Sequence, residues 1–132
     1  MMNRSKLDTI IAVKDVPASA RWYQALFSLH NQHGGEHFAV LTNQADDVII
    51  CLHKWGDHDH PTMMDNEIPA GNGLILYFKT DNLKDVHKKA VTLGCRAEEE
   101  LHLNPNSRRM EFALRDPDGY FIIVTEYHEY EG

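Results

Sequence analysis

The chain has 132 residues, enough for one hydrophobic core and too few for two independent ones. Hydrophobic residues make up 42% and charged residues 25%, a globular balance that excludes a disordered chain. The net charge of −7 argues against a nucleic-acid binder, which needs a basic face, and leaves room for a cationic ligand.

Taken in order, the residues predict a strand over 8–14, where Ile10, Ile11 and Val13 are apolar. Asp15 can cap the following helix, and Pro17 suits its first turn. The helix is predicted over 18–29, with Trp22, Leu26 and Leu29 forming the apolar stripe and Tyr23 and Phe27 widening it. Gly34-Gly35 breaks the chain, and strands follow over 37–42 and 48–54 around a polar turn. The stretch 55–72 is rich in Gly and Pro and reads as a linker. A strand over 74–80 comes next. Asp81 is the expected cap of a second helix, whose stripe is Leu83, Val86, Ala90 and Leu93 and whose stop is Gly94. His87, among lysines, reads as part of that helix's solvated face. Strands are predicted over 96–103, 108–115 and 120–127, with turns at Asn104-Pro105-Asn106 and at Asp116-Pro117-Asp118-Gly119.

The two halves repeat. TIIAVKD, ending at Asp15, matches ILYFKTD, ending 66 residues later at Asp81; ADDVIICLHK matches PDGYFIIVTE with an offset of 72. A period of this size is one supersecondary unit used twice. The expected organisation is a single domain over 1–132, with module one over about 7–54, a linker over about 55–72 and module two over about 73–127.

No run of about 18 apolar residues is present, so no membrane span is expected. The opening MMNRSKLDTIIAV lacks the apolar centre and small-residue cleavage site of a signal peptide. Cys51 and Cys95, both in apolar surroundings, read as reduced thiols, so the expected location is cytoplasmic.

With two local motifs added, the repeat resembles the vicinal-oxygen-chelate superfamily of glyoxalases, bleomycin-resistance proteins and extradiol dioxygenases. VKDVPASARWYQALF (Val13–Phe27) is similar to that family's first strand–helix segment. RRMEFALRDPDGYFIIVTE (Arg108–Glu126) is similar to its closing hairpin and is the more specific of the two. The resemblance covers Leu7 to Glu126. It implies an α+β fold of two βαβββ modules, forming a curved, cup-shaped mixed sheet with helices outside, commonly as a homodimer. Enzymes of the family hold one divalent metal in the cup; other members bind small molecules without one.

The resemblance places metal ligands at four positions. One lies seven residues before the first helix cap, at Asp8, and its counterpart before Asp81 is Leu74. Another lies four residues after the turn Gly119, at Ile123, and its counterpart after Asp47 is Cys51. Two of the four carry no donor, so no cofactor is expected, with one divalent metal as the alternative. The expected function is metal-free binding of an amphipathic neutral or cationic small molecule. The alternatives are a metal-dependent lyase, isomerase or dioxygenase with displaced ligands from Asp8, His37, His53 or Glu111, and a protein-interaction module with an empty cup. The expected ligand-lining residues are Asp8, Cys51, His53, Leu74, Leu76, Phe78, Arg109, Glu111, Phe121, Ile123 and Thr125, with no metal ligand among them. The expected partners are this ligand and a second copy of the chain, without nucleic acid or membrane. Arg109 and Glu111 can equally form a salt bridge at the strand end. His53, Asp57, His58, Asp59 and His60 are the densest donor cluster; within a Gly/Pro linker they read as a solvated loop rather than a preorganised site.

Overall fold

The computed structural model describes residues 6–129. Residues 1–5, read above for a leader sequence, lie outside them. The described chain divides into two compact units, one up to Ile68 and one from Pro69.

Unit one runs β1 (Ile10–Val13), α1 (Val16–Phe27), β2 (His30–His33), β3 (Phe38–Thr42) and β4 (Val48–Lys54). Its sheet order is β1-β4-β3-β2. Strand β1 is parallel to β4, and the other neighbours are antiparallel. Asp15 caps α1: its carboxylate accepts the amide of Ala18 at 3.0 Å, and Pro17 lies in the first turn. The buried side of α1 is Val16, Ser19, Ala20, Tyr23 and Leu26. Tyr23 is fully buried and Trp22 is not, so the stripe is centred one residue later than the pattern predicts. Strand β2 is absent from the sequence reading. Its residues, HNQH, carry no apolar alternation, and it forms as an edge strand paired only with β3.

Unit two repeats the plan: β5 (Leu76–Thr80), α2 (Leu83–Thr92), β6 (Arg96–Leu103), β7 (Met110–Arg115) and β8 (Phe121–Glu126), in the order β5-β8-β7-β6. Strand β5 is parallel to β8. Asn82, not Asp81, occupies the cap of α2, and its side chain makes no capping bond. The turn before β8 closes as expected, with Gly119 at φ 93 and the Asp116 carboxylate accepting the amides of Asp118 and Tyr120.

Aligned on their strand pairings, the modules superpose Ile10 on Tyr77 and Cys51 on Ile123, offsets of 67 and 72. The first offset is one residue longer than the sequence match gives. That residue is the displaced helix cap, and it turns β5 over.

Candidate functional site

In each sheet one face packs on the module's helix. In module one that face holds Ile11, Val13, Ala39, Leu41, Ile50 and Leu52, all buried. In module two it holds Leu76, Phe78, Phe112, Leu114, Ile122 and Val124, with the His87 ring edge-on to Phe112 at 5.0 Å. His87 thus packs on the sheet instead of standing in solvent.

This placement corrects two of the expected lining residues. Leu76 pairs with Ile122 and Phe78 with Val124, so both lie on the helix side. The residues of β5 that share a face with Phe121, Ile123 and Thr125 are Tyr77 and Lys79. The expected alternation is set by a cap at Asp81, and the helix cap is Asn82, one residue later. Counting back from Asn82 would have found Tyr77 and Lys79.

The helix-free face of module two carries Tyr77, Lys79, Glu111, Ala113, Arg115, Phe121, Ile123 and Thr125. Glu111 is a buried carboxylate, 3% exposed. It accepts a hydrogen bond from Asn104 Nδ2 at 2.9 Å, and His102 Nε2 lies 3.9 Å from its other oxygen. These partners replace the expected salt bridge to Arg109, which precedes β7 and is exposed. Asn104 had shown itself in the sequence only as a turn residue. It keeps that role too, because its Oδ1 accepts the amide of Asn106 at 2.8 Å. Thr125 is fully buried, with its hydroxyl 3.5 Å from the Met110 carbonyl. Leu74 lies in the turn before β5 and lines a cavity of about 530 Å³ with Ile75, Arg115 and Phe121. The Arg115 guanidinium sits over the Phe121 ring at 5.0 Å and binds Glu98 at 2.9 Å.

The helix-free face of module one carries Ile10, Ala12, Phe38, Val40, Cys51 and His53. Asp8 precedes β1, is exposed, and pairs with Lys6 at 3.3 Å. Burial pushes the Cys51 thiol above its usual range; the Asp8 carboxylate adds to the shift and Lys6 opposes it. The loop after β4 makes two short 3-10 turns, Asp57–Asp59 and Pro61–Met63, and folds back so that the Gly56 amide donates to the Met63 carbonyl at 2.6 Å. It is therefore not the featureless linker its composition predicts. His58 and His60 lie against buried His53, with ring centroids 5.1 and 5.3 Å from it. His37 and Asp57 meet at 2.5 Å, and this bond holds the Asp57 carboxyl below the usual carboxylate range.

The structure thus gathers Glu111, Phe121, Ile123 and Thr125 on one face of module two, and Cys51 and His53 on one face of module one. Leu74 joins Phe121 at a cavity, while Asp8 and Arg109 stand at strand ends. Of the four positions tied above to a metal, two carry side chains without a donor. Ile123 has none, and the counterpart of Asp8 is Leu74 by sequence or Ile75 by strand pairing, neither of which can ligate. No helix among the described residues is long and apolar enough to cross a membrane.

The profile of the Glyoxalase/Bleomycin resistance protein/Dioxygenase superfamily matches residues 6–124. No curated protein matches the sequence. Among solved structures, an integron cassette protein from the mobile metagenome of V. cholerae is 25% identical, with a TM-score of 0.71, covering 97% of this chain and 99% of that one. A lactoylglutathione lyase from Agrobacterium tumefaciens is 17% identical, with a TM-score of 0.69 and 94% of each chain covered. A glyoxalase/bleomycin resistance protein/dioxygenase family enzyme from Burkholderia phytofirmans PsJN is 15% identical, with a TM-score of 0.74, covering 89% of this chain and 94% of that one. The last two likenesses are of fold alone. With the repeated βαβββ topology and a profile match over nearly its whole length, the chain belongs to the glyoxalase/bleomycin resistance protein/dioxygenase superfamily.

Proposed function

We propose that the chain binds a small amphipathic molecule, neutral or cationic, against the helix-free face of module two, without a chelating metal. The observation that supports this best is the buried carboxylate of Glu111 on a strand face that also carries Tyr77, Ala113, Phe121, Ile123 and Thr125, with Lys79 on the edge strand β5 and Arg115, already paired to Glu98, at the end of β7. Small-molecule sites combine an apolar lining with a few fixed polar groups. A carboxylate in such a lining accepts hydrogen bonds and favours positive charge, and it disfavours anions. The side chains at Leu74, Ile75 and Ile123 give no support for a chelated diol or enediolate.

The test is a thermal-shift series on protein stripped with a chelator, using an aromatic amine, its neutral isostere and its carboxylate analogue. The amine and the neutral compound should raise the melting temperature and the carboxylate should not. Glu111→Gln should abolish the preference for the amine. Stabilisation that appears only when a divalent metal is restored would instead favour the metal-dependent lyase, isomerase or dioxygenase reading.

We also propose a cytoplasmic homodimer. Cys51 and Cys95 form no disulfide, which suits a reducing compartment. Each four-stranded sheet has two edge strands that a second copy can cover. Light scattering at micromolar concentration should give twice the chain mass; a monomer would overturn the proposal.

A further inference from the structure

We propose that His53, His58 and His60 form a binding site for one divalent transition-metal ion of the zinc or nickel type, which clips the loop after β4 to the helix-free face of module one. This goes beyond the ligand reading above and uses none of the module-two residues on which that reading rests.

The argument starts with His53. It is 3% exposed, and its Nδ1 lies 2.7 Å from the Lys54 carbonyl. A carbonyl oxygen only accepts, so Nδ1 carries the proton and Nε2 carries the lone pair. Backbone-carbonyl anchoring of one ring nitrogen is the arrangement that fixes the tautomer of a metal-ligating histidine and raises the basicity of the other nitrogen. That other nitrogen is 3.2 Å from Nδ1 of His58. Two nitrogens bound at 2.0–2.1 Å to a tetrahedral ion stand about 3.3 Å apart. The pair therefore already has the spacing of one edge of a coordination tetrahedron. His58 is exposed, which leaves room for what the ion requires of it: its ring proton moves from Nδ1 to Nε2, and its ring tilts so that the Nδ1 lone pair points at the ion rather than along the N–N line.

The third donor is His60. Its ring centroid is 5.3 Å from that of His53 and 6.3 Å from that of His58. Among the described residues no three His, Cys, Asp or Glu side chains already converge on a single point. His60 closes the set by turning about its own side-chain bonds, for which its exposure leaves room. Water or a ligand atom completes the four.

The loop is built to hold this arrangement. His58 and Asp59 both have left-handed backbone, at φ 63 and 55, which is costly for residues other than glycine and bends the chain back over β4. The bend is secured from both ends, by the His37–Asp57 bond and by the Gly56–Met63 bond, with the Met63 side chain buried. Imidazole nitrogen is a borderline ligand that suits zinc, nickel, copper and iron rather than magnesium or calcium, which prefer oxygen.

The test uses untagged full-length protein, stripped by chelator and titrated with Zn²⁺ by calorimetry and with Co²⁺ by visible absorption. The expected result is one ion per chain, with the intense visible bands of tetrahedral cobalt. His58→Ala and His60→Ala, on the exposed loop, should each weaken binding by about tenfold or more. Glu111→Gln should leave it unchanged, so failure of the ligand reading and failure of this one are separable. His53→Asn tests the buried ligand; if it does not fold, the two loop variants decide alone. Weak binding of several ions, insensitive to both loop variants, would mean adventitious surface affinity and overturn the site. So would octahedral cobalt spectra with no loss in His60→Ala.

Discussion

The two modules share a backbone plan and differ on the face that the helices leave open. Row by row, Ile10–Cys51–Val40 in module one corresponds to Tyr77–Ile123–Ala113 in module two, and Ala12–His53–Phe38 corresponds to Lys79–Thr125–Glu111. The helix-side rows keep their character instead: Ile11–Leu52–Ala39 corresponds to Phe78–Val124–Phe112, apolar throughout. Helix packing thus holds the repeat in place, because each module buries its helix stripe there. The other face differs: it carries thiol and imidazole in module one, and carboxylate, ammonium and hydroxyl in module two. One fold offers two chemistries.

If helix-side packing carries the repeat, truncating it should cost both modules about equally. Leu52→Ala and Leu114→Ala remove fully buried leucines of β4 and β7. Each should lower unfolding free energy by about 2–5 kcal/mol in urea titrations. A cost under about 1 kcal/mol in one module alone would break the symmetry of the comparison.

The next effect belongs to module two only. Asn104→Ala removes a donor from a buried carboxylate and should cost about 1–3 kcal/mol. Glu111→Gln keeps an acceptor for that donor and should cost less. Equal losses would show that Asn104 matters through its turn rather than through Glu111.

Much of this plan is legible in the sequence. Asp15, Pro17, the DPDG turn and the two apolar closing strands each carry their own local signal, and together they give the repeat. Three places are not legible there. Strand β2 is made of polar residues and is recruited by its neighbour, so no periodicity announces it. At Asp81-Asn82 two adjacent residues are both good caps, and only the packing of Leu83, Val86 and Ala90 selects the second. In a strand a slip of one residue exchanges the faces, so a cap at Asp81 predicts Leu76 and Phe78 where Tyr77 and Lys79 stand. The histidine loop hid for a different reason. Its composition is that of a solvated linker, while its order comes from His53 on the sheet and from two left-handed residues that no pattern marks.

The caps themselves give a smaller, sharper contrast. The Asp15 carboxylate accepts a helix amide at 3.0 Å, and Asn82 makes no capping bond. Asp15→Ala should cost about 1 kcal/mol and Asn82→Ala a few tenths, by thermal or urea unfolding. Equal costs would mean that Asn82 stabilises α2 by its bond to Asp85.

The smallest effect lies in the module-one loop. Asp57 is held below the usual carboxylate range, chiefly by the hydrogen bond to His37; burial opposes this, and the charges of His37, Lys54 and His58 add smaller downward effects. The folded chain therefore favours the ionised form. The stabilisation is present above the unfolded carboxylate value, about 3.9, and is lost as pH falls through the lower folded value. Asp57 is partly exposed and its partner His37 is exposed, so global stability should hardly respond. The local structure should. Gly56, whose amide donates to Met63 across the loop, reports on it directly. At neutral pH, Asp57→Asn should speed hydrogen exchange at Gly56 while leaving the melting temperature nearly unchanged. At a pH below the folded value, where the wild-type carboxylate is protonated too, the two proteins should exchange alike after correction for intrinsic rates. A difference that persisted there would mean that the shape of Asp57, rather than its charge, holds the loop. A melting temperature that fell with it would tie the loop to the stability of the whole module.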